Sequence, residues 1–294
     1  MSLLFWGLAL LSTIGYNLQW ALNTKFGRKG DSLSMGTYRS LSLAISMLPL
    51  LLFSSTKNIL IIYNYQFELI LSSISAGIGV WFMYISMKSL PIGITTSFRS
   101  VFSVLTTIVG GFLLFGESLS LITIIFVLVI LIGGVIISLS KVKFNHLIND
   151  NFYVGIILAS ISGILSAIAL TLMVKVSREL DPFVSSYFWE FEIGIVLLII
   201  LLIRNKVYKG KIEKISKKDF LNIFTASSPS LIGTGCYAFA STIGPIGIVS
   251  SIGVLGIAFS TIFGIFLFKE KLSFKQYFGI FIIIIGILGL KLYK

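Results

Sequence analysis

Four charged side chains lie deep inside long apolar runs: Arg39, Arg99, Glu190 and Glu192. A charge at the middle of a bilayer costs roughly 3 kcal/mol on insertion scales, so such residues are tolerated where they face a protein interior or water. Arg39 and Arg99 each stand about six residues into runs that begin on the same membrane face, which puts them at similar depth, ~9 Å along a helix. Two guanidinium forks converging there would bind a carboxylate or phosphate. Two other uses remain open. Each arginine could snorkel to the nearby interface, or pair internally with Glu190 or Glu192 and hold the fold together. The two glutamates are two positions apart, about 200° around a helix, so they cannot both face one cavity. Glu190 continues a stripe of small residues with Ser186 and Gly194, whereas Glu192 shares a face with Trp189. Glu190 is therefore the stronger candidate for the cavity, where a carboxylate could carry a proton coupled to transport.

Around these charges the sequence offers polar and aromatic companions. Gln19 and Asn23 extend the stripe Gly7, Leu11, Gly15 along the first run. Trp81, Tyr84, Tyr187 and Trp189 could line a cavity for amphipathic cargo or serve as anchors at the membrane interfaces. Arg99 extends the series Ser103, Thr107, Gly111, and spacing of four between small residues marks faces where membrane helices approach closely. Arg99 thus belongs to the packed or cavity side of its helix.

These residues are carried by ten runs of about twenty apolar residues, the length that spans a bilayer as a helix: Leu3 to Leu22, Ser34 to Phe53, Phe67 to Lys88, Gly93 to Phe115, Leu119 to Leu139, Phe152 to Val174, Val184 to Ile203, Phe220 to Ile243, Ile246 to Phe268 and Tyr277 to Leu292. Hydrophobic residues make up 56% of the chain and charged residues 12%, and the mean hydropathy is +1.01; soluble domains carry about 25% charged residues. The runs lack the alternating polarity of barrel strands, so the expected class is an all-α, multi-pass protein of the cell membrane. No Lys or Arg precedes the first run, which is expected to be a permanent span rather than a cleaved signal.

Self-comparison shows a duplication. "FWGLALLSTIG" from Phe5 matches "YVGIILASISG" from Tyr153, "LPIG" from Leu90 matches "GPIG" from Gly244, and "FGESLS" from Phe115 matches "FKEKLS" from Phe268. The boundary falls between a first five-helix repeat, 1–146, and a second, 147–294. Five spans per copy force the second copy to enter the membrane upside down, the construction of carriers that hold substrate near the midplane between inverted halves.

The half beginning "GVWFMYISMKSLPIGITTSFRSVFSVLTTIVGGFLLFGESLS" and its counterpart beginning "GTGCYAFASTIGPIGIVSSIGVLGIAFSTIFGIFLFKEKLS" resemble the drug/metabolite transporter superfamily, specifically the ten-helix proteins with two EamA domains. The order is the same in both halves: an aromatic-rich third span, a Pro or Gly turn, a small-residue fourth span, a Gly-Glu-x-Leu-Ser type turn and a Gly-rich fifth span. The resemblance implies a secondary carrier of small organic metabolites such as amino acids or organic anions, often an exporter; Glu117 and Glu270, in the turns after the fourth and ninth spans, carry the resemblance and read as structural turn residues rather than substrate ligands.

Other functions fit poorly. His146 is the single histidine, and no metal-ligand cluster, Gly-x-Ser-x-Gly turn or Walker loop is present, so neither an enzyme, a metal site nor a cofactor is expected. Energy would come from a coupling proton or an exchange substrate. The +12 formal charge sits mainly in loops, where it orients the chain against lipid; "RNKVYKGKIEKISKKD", 204–219, lacks the interleaved aromatics of a nucleic-acid surface. The expected partners are a small-molecule substrate and the bilayer, with homodimerisation left open. Cys236 is the sole cysteine, which excludes an internal disulfide. Loops on the side opposite the termini carry sixteen Lys or Arg against five, which places the termini outside by the positive-inside rule; the resemblance implies cytoplasmic termini. A lipid-carrier flippase and a non-transporting structural or sensory protein are the alternatives.

Overall fold

The computed structural model describes residues 1–90, 92–139, 150–208, 212–259 and 273–293. Pro91, His146, Ser260, Gly264 and Glu270 lie outside them. Each of the ten apolar runs is mainly helical where described. Helix α1 spans Leu3–Lys29, α2 Ser32–Ser46, α3 Thr56–Ile61, α4 Gln66–Ser89, α5 Ile92–Phe115, α6 Leu121–Leu139, α7 Asp150–Glu179, α8 Pro182–Tyr208, α9 Lys217–Ser227, α10 Ser230–Ile243, α11 Ile246–Gly253 and α12 Phe274–Leu292. Six helical segments are long and apolar enough to cross a membrane by themselves: 32–53, 56–89, 94–115, 151–179, 182–207 and 274–292.

Two runs are interrupted at a proline. After α2 the second run tightens into a 3-10 helix, Leu48–Phe53, with Pro49 in its first turn; proline fixes φ and has no N–H to continue the α-helical ladder. The eighth run breaks between α9 and α10 at Ser228 and Pro229 for the same reason. The short helix α3 between the second and third spans has a polar start that hydropathy alone leaves as loop, and Ser55 caps it by accepting from the Asn58 backbone N–H at 3.2 Å.

Helix pairing follows the duplication. The first span, α1, lies against the eighth, α10; the sixth, α7, lies against the third, α4, which is the same pair with the repeats exchanged. The self-equivalent pairs α2 with α8, α5 with α11 and α6 with α12 cross at the seam. Gly79 and Gly233, equivalent positions in the two repeats, stand at the two exchanged crossings. A Cβ on Gly79 would lie 3.4 Å from the Ser162 carbonyl oxygen, and one on Gly233 would lie 3.0 Å from the Tyr16 nitrogen, so both sites need the close backbone approach that small residues permit.

Both repeats also enter their second span behind an aspartate. Asp31 Oδ2 accepts from the Ser34 backbone N–H at 2.8 Å, and Asp181 Oδ1 accepts from those of Phe183 and Val184 at 2.8 and 3.0 Å, satisfying first-turn donors. Each cap then reaches across the seam. Arg204, at the end of α8, grips Asp31 with Nη1 and Nη2 at 2.9 and 2.8 Å. At the opposite face Asp181 accepts from Ser54 Oγ and Asn58 Nδ2 at 2.8 and 3.1 Å.

Candidate functional site

Helices α1, α2, α4, α5, α7, α8, α10 and α11 surround a cavity of about 130 Å³ at the seam. One water needs ~10–15 Å³ on this measure, so the space holds about ten waters, the bulk of a small organic metabolite. Arg39, Arg99, Trp189 and Glu190 belong to its wall, together with Tyr16, Trp20, Ser166, Tyr237 and Ser250.

The two arginines have different environments. Arg39 is 3% exposed and Glu190 1%. Arg39 Nη1 meets Glu190 Oε2 at 3.2 Å, Nη2 donates to Gln19 Oε1 at 3.2 Å, and the pair ties α1, α2 and α8 together. Thr234 Oγ1 of α10 donates to Glu190 Oε1 at 3.1 Å, so both carboxylate oxygens are engaged. Arg99, by contrast, keeps accessible surface, which opens into the cavity it lines. Its Nη2 donates to Ser166 Oγ at 3.0 Å, and among the described residues no carboxylate pairs with it.

Trp20 joins the two. The Arg39 guanidinium carbon lies 5.3 Å from its ring centroid and that of Arg99 5.7 Å, within cation–π range, while Tyr84 packs edge-on at 5.9 Å. Sequence reasoning passed over Trp20, although Thr13, Tyr16, Asn17 and Trp20 share one face by their i, i+3, i+4, i+7 spacing. Ser166, Thr234 and Tyr237 were passed over too; single hydroxyls in apolar runs carry no spacing signal.

The remaining expected site residues lie outside the wall. Gln19 is fully buried behind Arg39. Asn23 Nδ2 donates to the Gln19 carbonyl at 3.0 Å and to Ser227 Oγ of α9 at 3.3 Å, fastening α1 to α9. Glu192 faces α4, where Ser73 Oγ donates to its Oε2 at 3.3 Å, as the angle between the glutamates requires. Tyr84 is 1% exposed. Trp81 neighbours Phe82 at 5.9 Å, and Tyr187 stacks on Phe191 at 6.1 Å, both half-buried.

A second ionic knot sits away from the cavity. Arg178 Nη2, at the end of α7, meets Glu117 Oε1 at 2.6 Å and donates to the Gly244 carbonyl at 3.0 Å, and Nε donates to that of Ser241 at 2.8 Å. Glu117 Oε2 accepts from the Ile246 N–H at 3.0 Å. Glu117 therefore binds the turn after α5 to the start of α11 and the end of α7, the structural role expected of it.

Comparison with known proteins agrees with this architecture. The model of the EamA-like transporter family matches residues 5–139 and 153–292. No curated protein matches. Among solved structures 29 chains match; one crystal structure superposes with a TM-score of 0.72 at 11% identity, covering 96% of this chain and 96% of its own, a likeness of fold. With both repeats matched and their helices paired across a polar seam, the chain belongs to the EamA-like transporter family, within the drug/metabolite transporter superfamily.

Proposed function

We propose that this secondary transporter moves small organic metabolites by alternating access, with the cavity between its inverted halves as the binding site. The observation that carries the reading is Arg99: a guanidinium deep in the span, accessible to the cavity, with no carboxylate partner among the described residues. A buried cation without a counterion is costly, and a cargo anion is the natural compensation. Arg39, Glu190 and Gln19 form the fixed frame that holds Trp20 beside it.

Two ionic clamps supply the gates. Chain order puts Asp31–Arg204 at one membrane face and Glu117–Arg178 at the other. Opening either clamp while the other holds would expose the cavity to one side only, the requirement of alternating access. The small volume favours a soluble cargo over the long groove that a lipid-linked one needs. A coupling proton or an exchange substrate completes the energetics.

The test is flux of radiolabelled small metabolites into proteoliposomes containing the purified chain. Wild-type protein should accumulate at least one small metabolite, and Arg99→Leu should abolish that uptake while inserting normally. Undiminished uptake by Arg99→Leu would remove the arginine from the site, and flux of lipid-linked substrates alone would favour a flippase.

A further inference from the structure

The groups around the cavity differ sharply in what they can accept and what they can donate. Its charged wall residues among those described are Arg39, Arg99 and Glu190, a net charge of plus one. Glu190 is already spent on Arg39 and Thr234. The serine and threonine hydroxyls of the wall and the Asn17 amide oxygen are acceptors without charge. Several are themselves committed: Thr13 to the Ala9 carbonyl at 2.8 Å, Ser166 to Arg99, and Ser250 to Tyr237.

Donors, on the other hand, are in surplus. Those that reach the cavity belong to Arg99, whose N–H groups other than the one given to Ser166 are available to a cargo. Of the aromatic rings in the wall, Trp20 already has two guanidinium groups beside it.

From this imbalance we infer that the cavity selects small organic monoanions over the corresponding zwitterions. The inference rests on the carrier reading and names its substrate class. A carboxylate placed on Arg99 cancels the site's net charge and accepts from its remaining N–H groups. An amino acid bound the same way brings its ammonium into a cavity where the one carboxylate is taken. To reach Glu190 it must displace Arg39, leaving that guanidinium buried with only Gln19 and Ser40. A 2-hydroxy acid of the same skeleton has no such group: its hydroxyl can donate to or accept from the serines. A dianion would leave one negative charge uncompensated. Selectivity therefore comes from what the wall cannot offer as much as from what it does.

Three isosteric pairs test it: L-lactate with L-alanine, L-2-hydroxyisovalerate with L-valine, and L-phenyllactate with L-phenylalanine. Binding to the purified full-length protein is read by calorimetry and by Trp fluorescence, for wild type and Arg99→Met, with each variant's thermal melt recorded to establish folding. The expected result is that at least one hydroxy acid binds about tenfold or more tightly than its amino acid, and that a folded Arg99→Met loses this binding. An amino acid that binds as well as its hydroxy acid, or hydroxy acids that fail to bind at millimolar concentration, overturns the inference. If Arg99→Met does not fold, Arg99→Lys, which keeps the charge and loses the planar fork, must still prefer the hydroxy acid. Flux in proteoliposomes separates the two readings. Hydroxy-acid binding without flux refutes the carrier and leaves the monoanion site, whereas amino-acid flux without hydroxy-acid binding refutes the monoanion site and leaves the carrier.

Discussion

The two intramembrane arginines should respond to the same substitution in opposite ways. Arg39 and Glu190 are both almost wholly buried and joined at 3.2 Å. Arg39→Met leaves the Glu190 carboxylate with Thr234 as its partner and strands Gln19, and breaking a buried pair from one side costs roughly 3–5 kcal/mol. Arg99→Met removes a cation that has a serine and a Trp ring for company, and deleting an uncompensated buried charge is neutral or mildly stabilising. At about 2 °C of melting temperature per kcal/mol for a chain of this size, Arg39→Met should melt some 6–10 °C lower than wild type and Arg99→Met within about 2 °C of it. The double replacement Arg39→Met with Glu190→Leu removes both charges and should recover most of the loss. Thermal melts of purified protein in one detergent give the comparison. A stable Arg39→Met alongside a collapsed Arg99→Met would refute the assignment of frame and site.

Other consequences are as specific. Trp20→Leu removes the ring beside Arg99, a contact worth about 0.5–2 kcal/mol; cargo half-saturation in a flux assay should rise about two- to thirtyfold with little change in insertion. Gly163→Leu drives a side chain into the Arg99 backbone, which the ideal Cβ already overlaps; the variant should lose transport and melt lower, since overpacking costs about 1–3 kcal/mol or more. Burial acts to raise the Asp31 carboxyl, but Arg204, with the Ser34 N–H and hydroxyl, holds it down to about 2. A depressed carboxyl stabilises the clamped state above its free value of about 4 and loses that contribution as pH falls toward 2. The Asp31 clamp should therefore be insensitive to pH from about 5 to 8, whereas Asp31→Asn should loosen it there, read as faster thiol labelling of cysteines introduced at that face.

Much of this architecture was legible from sequence for a physical reason. A bilayer demands about twenty apolar residues per helix, so hydropathy marks the spans directly, and the Phe5/Tyr153 and Leu90/Gly244 matches fix the inversion through an odd span count. The breaks at Pro49 and Pro229 escaped because a hydropathy run averages over the one residue that interrupts the ladder. Side-chain partners were less legible. The separation of Glu190 from Glu192 followed from helix geometry within one element, but the pairing of Arg39 with Glu190 joins elements 151 residues apart. Depth along the membrane left both pairing and shared cargo binding open, since only the packing of α2 on α8 decides which faces meet. Trp20 was missed because an aromatic toward the end of a span reads as an interfacial anchor, whereas α1 continues to Lys29 and sets that ring inside the bundle.

Ser103 lies in the cavity wall and Cys236 is the only native cysteine, so Ser103→Cys in a Cys236→Ser chain reports access to the seam. The chain is reconstituted in one orientation and treated with a membrane-impermeant thiol reagent from each side in turn. A hollow served alternately by two gates predicts modification from both sides. Modification from one side alone, or from neither, would contradict it.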